Sequence, residues 1–510
     1  MKISSENFPL INISLNVFGI KNKEELEELN PNNLDYCVIK NDNALYSYLN
    51  NSWKEIFSNT FNPLTINSED IYGENVIWFD GKEIKTGGSL QNNNELTKEQ
   101  FEKRITVYNN FSELTLPKSY IISKQVKTIP ILNIVDNTNL DSKFDNAKNL
   151  TGVILTNTSN VTSMKSTFND CSNLKYAFLG DTANVINMSH LFLNCNNLEY
   201  INLDTSNVIN MYGTFHSCRN LKYISGLNTS NVTNMESTFA NCVSLETIPE
   251  LDTTNVTNME STFQYCGVKN ISLNIPNVIN LEATFGSSKA ETIVLLNSSK
   301  VNTLYESFIN CQNLKNVSLD TSSVINMMNT FNSCLKLETI SELDTSNVSN
   351  MYGTFYKCEN LKSIPELNTS NVTDMSYMFY RSTSLETIPK LDTTNVTNMK
   401  HIFDGCKSLK SIPELNTSNV TDMSFAFSGC TNLETIPELD TTNANLDWAF
   451  HHCKSLSDES INNILAMCQK SKNTADNNKE INWPVELAIK ARNLSNYQGF
   501  VDAGWKITSY

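Results

Sequence analysis

The chain has 510 residues, 54 acidic against 38 basic side chains and a formal net charge of −16. That excess of carboxylates excludes DNA or RNA as a partner, because neutralising phosphates requires clustered Lys and Arg. Only 18% of the residues are charged, so the surface is expected to be polar and largely neutral, and no apolar window of about 20 residues is present for membrane insertion.

Residues 1–90 read as a small β-rich attachment module. Their first segment, MKISSENFPLINISLNVF, has no unbroken apolar stretch of signal-peptide length, so no export signal is expected there. In LDYCVIKNDNALYSYLNNSWKEIF, apolar and polar residues alternate around Asn41-Asp42-Asn43, the mark of a β-hairpin. NVIWFDGKEIKTGG adds a second hairpin around Asp80-Gly81. Residues 91–125 read as a linker, with a short helix near 97–104 and capping strands through 105–125.

Residues 126–456 are built on N-V-T-N-M-x-x-x-F-x-x-C-x-x-L-x-x-I, repeated thirteen times on phenylalanines from Phe168 to Phe450 that lie 22 to 24 residues apart. Self-similarity at that period predicts a solenoid, in which each coil buries its apolar face only against its neighbours. Val232, Met235, Phe239 and Cys242 have the spacing of one face of a helical segment. Leu245, Ile248 and Leu251 follow as a short extended stretch, and shorter units tighten it to Leu198-x-x-Ile201-x-Leu203, the L-x-x-L-x-L signature of a leucine-rich repeat. The longer units carry one inserted residue, read as a bulge at the strand's end. The predicted fold class is therefore an α/β repeat solenoid, leucine-rich-repeat-like, of short parallel strands plus helical turns. Residues 126–150 form its degenerate first coil.

Stacked coils align equivalent residues in columns. Eleven cysteines, Cys171 through Cys453, share one slot with Ser288 and Ser382. Runs of odd length, and side chains all pointing the same way, make disulfides a poor fit. The column reads as small buried thiols, with no zinc spacing among them. Asparagines such as Asn184, Asn207 and Asn231 are expected to donate to the backbone of an adjacent coil. A charge ladder alternates without error through Lys175, Glu199, Lys222, Glu246, Lys269, Glu291, Lys315, Glu338, Lys362, Glu386, Lys410 and Glu434. A slip by one coil would bring like charges together, so the ladder is structural and guards register.

Two residues before the core phenylalanine most coils carry small or polar residues, but the last four carry Tyr377, His401, Phe425 and Trp448. In register these form an aromatic stripe suited to stacking on sugars or gripping an apolar ligand. The competing reading packs the C-terminal helices over it. Tyr212, Tyr305, Tyr352, Tyr356 and Tyr380 are further, scattered surface candidates.

Residues 457–510 read as a helical C-terminal cap. Ser457 and an acidic first turn open a helix with Ile461, Ile464, Leu465 and Cys468 on its inner face. A second helix is expected in WPVELAIKARNL, and LSNYQGFVDAGWKI closes the end. Five histidines in no Ser/His/Asp order, and no phosphate loop or H-E-x-x-H, point away from an enzyme and from any cofactor. His451 and His452 beside Asp447 suggest a metal group but read better as a solvated terminal coil.

The units, as in LKSIPELNTSNVTDMSYMFYRSTSLETIPKLDTTNVTNMKHIFDGCKSL, resemble the BspA-like leucine-rich repeats of bacterial surface proteins across residues 126–456. Their N-V-T-x-M-x-x-M-F variant is known from Mycoplasma and Firmicutes. That resemblance implies a surface-exposed, adhesive protein without catalytic residues. DYCVIKNDNALYSYLNNSWKEI is similar to small β modules at the bases of phage fibre and head-decoration proteins, and LSNYQGFVDAGWKITSY resembles the ends of repeat proteins of phages and Firmicutes. These shorter resemblances imply a phage virion fibre or decoration protein. Its N-terminal module would hold other virion proteins, and its solenoid would bind a host-surface glycan or protein. A bacterial cell-surface adhesin and a virion decoration without a ligand are the alternatives, and a homo-oligomer stays open.

Overall fold

The computed structural model describes residues 138–156, 158–471 and 479–510, together with short strands upstream. The helix expected near 97–104 and the strands expected through 105–125 lie outside the described residues. Contacts divide the chain into one unit spanning Met1–Asp252 and a second spanning Thr253–Tyr510.

In the first unit, β1 (Val17–Ile20) runs parallel to β2 (Tyr36–Ile39). Strand β2 pairs antiparallel with β3 (Ala44–Leu49), which pairs antiparallel with β4 (Ser52–Phe57). β5 (Ile77–Phe79) and β6 (Ile84–Thr86) pair antiparallel. A parallel sheet then stacks β7 (Leu132–Asn133), β8 (Gly152–Thr156), β9 (Tyr176–Phe178), β10 (Tyr200–Asn202) and β11 (Tyr223–Ser225), one strand per coil. In the second unit β12 (Asn270–Asn274), β13 (Thr292–Leu296) and β14 (Asn316–Ser318) form a like sheet. The coils after β14 have the inserted residue, in most of them beside a proline, and there the strand is replaced by irregular extended chain. Proline has no N–H to give the ladder, so a strand in every coil is not sustained.

The core is a stack of phenylalanines. From Phe144 to Phe239 in the first unit and from Phe263 to Phe450 in the second, successive rings lie 5.0–6.0 Å apart and within 19° of parallel. Val, Met, Phe and Cys of each unit point inward, as their spacing requires; Val348, Met351, Phe355 and Cys358 are all 0% exposed. The path between them is a run of turns and not an α-helix. A helix is about 10 Å across, twice the separation of these rings, so helices cannot follow one another at that spacing.

The turns satisfy the backbone in a different way. In the Phe355 coil, Thr354, Tyr356 and Cys358 donate N–H to Met351, Gly353 and Phe355 at 3.0–3.2 Å. The alternate N–H groups of Gly353, Phe355 and Lys357 donate to Ser376, Met378 and Tyr380 of the next coil. Such a path needs left-handed residues two positions before and two after the phenylalanine, as at Asn329 (φ 54°) and Ser333 (φ 60°). Every buried N–H and C=O must find a partner, and here neighbouring coils supply half of them.

Side chains complete the stitching. The cysteines described are free and buried, but they do more than fill space. Cys358 Sγ–H donates to Phe331 O at 3.1 Å, Cys406 to Phe379 O at 3.0 Å, and Ser382 does the same to Phe355 O at 2.7 Å. A small donor is the requirement, which is why serine shares the slot. Burial pushes the Cys358 thiol up to about 12, so it stays protonated as a donor. Threonines before the phenylalanine bond twice, Thr354 Oγ1–H reaching Met327 O at 3.0 Å and Met351 O at 2.9 Å. The asparagines donate to the preceding coil as expected, Asn371 Nδ2 to Ser346 O at 2.7 Å and Asn395 to Ser370 O at 2.7 Å.

The C-terminal cap closes the second unit. Helix α1 (Asp458–Lys470) is capped by Ser457, whose side chain accepts from Ser460 N, and it buries Ile461, Ile464, Leu465 and Cys468. Ser460 and Asn463 donate to Glu434 O and Ile436 O, while Thr441 and Ser471 tie the helix end to the last coil. β15 (Glu480–Trp483) pairs parallel with β16 (Lys506–Ser509). Helices α2 (Val485–Arg492) and α3 (Tyr497–Asp502) lie between them in sequence. Fully buried Trp483 donates Nε1–H to Phe450 O at 2.9 Å. No described helix is long and apolar enough to cross a membrane.

Candidate functional site

The solvent-facing side of the turn path is built from the residues three and two places before the phenylalanine and one and two places after it, several of them buried and the rest partly exposed. On the last four coils this brings Tyr377, His401, Phe425 and Trp448 together. Tyr377 and His401 stack at 4.6 Å and 20°, His401 and Phe425 at 4.4 Å and 9°, and Phe425 and Trp448 at 6.0 Å and 4°. Tyr377, His401 and Phe425 are half-buried, and Trp448 is 41% exposed.

Three of the candidates that look scattered in sequence join them. Tyr352 lies 5.5 Å from Tyr377, and Tyr356 stacks on Tyr380 at 4.7 Å. Tyr380 in turn sits 5.7 Å from Tyr377 and edge-on to His401 at 5.8 Å. Cations border this cluster, Lys357 Nζ 5.3 Å from the Tyr356 ring and Arg381 Cζ 5.2 Å from that of Tyr380. Within it Asp404 Oδ2 holds His401 Nδ1 at 2.7 Å. Tyr212 and Tyr305 stand elsewhere, the first edge-on to His190 at 4.4 Å.

Ring orientation alters what the stripe can bind. The planes lie across the stacking direction, so each face meets the next ring and only edges and polar tips reach solvent. Trp448 also has His451 at 4.2 Å, tilted by 39°. Sugars stack on ring faces, and those faces are occupied, so the expected sugar platform is not what these residues build. Edges carry the positive end of the ring quadrupole and suit carboxylates, carbonyls and the faces of other aromatic groups.

All four stripe residues have left-handed backbone: φ is 58° at Tyr377, 53° at His401, 59° at Phe425 and 59° at Trp448. Elsewhere the slot is left-handed too, but holds mostly small or polar residues such as Ser237, Ser261, Ala283, Asn329 and Gly353, with His190 and Glu306 the bulkier exceptions. A bulky side chain there is strained by about 1 kcal/mol or more. The next residue changes too. Coils with a small residue in the slot follow it with Thr or Ser, but these four follow it with buried Met378, Ile402, Ala426 and Ala449. That paired change was available in the sequence as a mark of a distinct block.

The described hydrogen bonds of the C-terminal cap to the solenoid do not involve the stripe. Helix α1 bonds with Glu434, Ile436, Thr441 and Ala444, and β15 with Phe450 and His452, none of them a stripe residue. The reading of His451 as part of a solvated coil is corrected: His451 is 1% exposed and Asp447 6%, because β15 closes over that edge. Neither ring nitrogen of His451 has a hydrogen-bond partner, and burial lowers its pKa to about 4. Among the described residues no group of three His, Cys, Asp or Glu is placed to hold a metal ion.

The charge ladder runs along a different edge. Its described ion pairs join each Lys to the Glu one coil before it: Lys222–Glu199 at 3.5 Å, Lys315–Glu291 at 2.8 Å, Lys362–Glu338 at 3.0 Å and Lys410–Glu386 at 3.5 Å. The ladder is thus a series of two-rung steps. The paired side chains are largely solvated, and pairs of that kind contribute little to stability.

A family model described as "Mycoplasma protein of unknown function, DUF285" matches residues 119–200, 179–276, 276–389 and 382–485. The chain belongs to this family. Among solved structures, this DUF285 chain is similar to a leucine-rich repeat protein from Bacteroides ovatus, with 18% identity over 74% of this chain and 92% of that one and a TM-score of 0.38. It is also similar to a leucine-rich cell surface protein from Faecalibacterium prausnitzii, with 18% identity, 65% and 86% coverage and a TM-score of 0.34. The pneumococcal vaccine antigen PcpA is 14% identical, with 71% and 79% coverage and a TM-score of 0.32. No curated protein matches the chain.

Proposed function

We propose that this DUF285 protein is a non-enzymatic recognition arm of a bacterial cell surface, and that the aromatic face of its last four coils docks on a protein of another cell. Residues 126–456 are the arm in this reading, 457–510 close its end, and 1–90 attach it. One observation carries the proposal: four successive coils stack bulky, partly exposed rings in a slot that most other coils fill with small or polar residues. Exposed, edge-presenting rings bordered by Arg and Lys match the aromatic and arginine anchors that dominate protein interfaces. A virion role, with residues 1–90 on other virion proteins, has only the short terminal resemblances behind it, whereas the family match is to bacterial proteins.

Binding of the purified, labelled chain to an epithelial monolayer tests this reading. Phe425→Asn with Trp448→Asn is expected to reduce binding about tenfold or more. Its melting temperature should stay near that of the parent, since Asn329 fills the same slot natively. Undiminished binding by the double variant would refute the docking role. Binding of the parent, but not of the double variant, to an immobilised glycan array would replace the protein partner by a sugar.

A further inference from the structure

Two adjacent coils carry cations in the same slot. Lys357 and Arg381 both stand two places after the core phenylalanine, on the coils of Phe355 and Phe379. Lys357 Nζ lies 5.3 Å from the centre of the Tyr356 ring and Arg381 Cζ 5.2 Å from that of Tyr380, and the two rings are themselves stacked at 4.7 Å. Like charges are thus held on neighbouring coils, and neither joins an ion pair among the described residues. Carboxylates close by are otherwise engaged. Asp374 Oδ1 accepts from Ser376 N at 2.8 Å and Ser376 Oγ at 2.6 Å, and Asp404 Oδ2 holds His401 Nδ1. Exposed Glu359, two residues past Lys357, pairs with neither cation.

The arginine is also held in place. Its slot has left-handed backbone on every described coil, and most coils fill it with a side chain such as Asn310, Ser333 or Lys357. The coil after Arg381 has Gly405 there instead. A Cβ on Gly405 would stand 3.0 Å from Arg381 Cγ, so the glycine leaves room for the arginine stem. Backbone conformation alone does not ask for that glycine, since asparagine and serine occupy the slot on other coils. A guanidinium fixed by its stem and by a ring loses little freedom on binding. Its planar fork matches the two oxygens of a carboxylate.

We infer that Lys357 and Arg381 clamp a carboxylate of the docking partner, which therefore presents an acidic segment to the coils of Phe355 and Phe379. The clamp has this role only if the face docks on a protein, and so rests on the function proposed for it. Charge complementarity sets the sign of the partner: two unpaired cations, Lys400 unpaired on the next coil, and ring edges that carry the positive end of the quadrupole. The chain as a whole has a net charge of −16, so local charge alone draws an acidic segment here, and the contact weakens as salt rises.

Binding of the full chain to immobilised poly-L-glutamate, at low and at high salt, measures the clamp directly. The parent is expected to bind at low salt and release at high salt. Lys357→Gln with Arg381→Gln should weaken binding about tenfold or more. Gly405→Ser keeps every charge but displaces the arginine stem, and should weaken binding severalfold; Ser333 shows that serine is accommodated in that slot. Lys410→Gln, which removes a cation from the ladder edge, should leave binding unchanged. A parent that ignores poly-L-glutamate, a double or Gly405→Ser variant that binds as the parent does, or an equal loss in Lys410→Gln would overturn the inference. Stronger binding to immobilised heparin, abolished by the same double substitution, would also overturn it, by giving the clamp a sulfated sugar. On the epithelial monolayer the double variant should lose binding as Phe425→Asn with Trp448→Asn does. Loss with the aromatic variant alone would keep the docking role and remove the acidic partner, whereas loss with neither would remove both.

Discussion

Phe355→Ala is expected to destabilise the second unit by about 3–5 kcal/mol. The Phe355 ring is 0% exposed and lies 5.7 Å from Phe331 and 5.6 Å from Phe379, so its removal leaves a cavity and two ring faces without a partner. Neighbouring coils cannot collapse into that space, because the backbone on both sides is fixed by bonds such as Phe355 N–H to Met378 O at 2.8 Å. In a stacked array stability is a sum of coil and interface terms, so the damage should be local. Hydrogen exchange followed by mass spectrometry should show lost protection in the coils of Phe331, Phe355 and Phe379, and less change near α1. Uniform loss of protection over the unit, or none, would contradict a ring-by-ring stack.

His451→Phe should stabilise the protein in acid. The imidazole is buried beside Trp448 and His452, without a hydrogen bond to either nitrogen, and its pKa falls from 6.5 to about 4, chiefly by burial, with the charge of His452 adding and that of Glu480 opposing. Between these values the unfolded chain binds a proton that the folded chain refuses. Stability from this group is therefore complete above pH 6.5 and declines as pH falls toward 4. At about 1.4 kcal/mol per pKa unit, and allowing for partial solvation, the decline is about 2–3 kcal/mol. Urea melts at pH 7.5 and pH 4.5, followed by tryptophan fluorescence, should show a smaller acid penalty for the Phe variant. An unchanged penalty would place the acid sensitivity elsewhere, at His190 or His216, whose pKa values are lowered by burial too.

Much of this architecture can be read from residues alone, and the limits are physical. The period of the phenylalanines fixes stacking, since only rings in register give a repeat of that length, and the asparagine column bonds as its chemistry suggests. Spacing such as that of Val232, Met235, Phe239 and Cys242 cannot separate an α-helix from a run of turns, because both bring the same residues inward. The deciding clue is conformational. Gly213, Gly353, Gly405 and Gly429 fall two places before or after the phenylalanine, where φ is positive, and glycine marks such positions. The stripe is visible as four aromatic residues in one slot, but not the direction of its rings, which depends on that left-handed backbone. The cysteine column reads as packing; its hydrogen bonds appear only once Ser382 and Cys358 are seen to reach equivalent carbonyls.

Hydroxyl-radical footprinting of the free chain and of the chain bound to an epithelial monolayer tests the recognition face most directly. Oxidation of Phe425 and Trp448 should fall on binding, while that of Tyr212, in the other unit, should not. Equal labelling of Phe425 and Trp448 in both states would mean that the rings take no part in recognition.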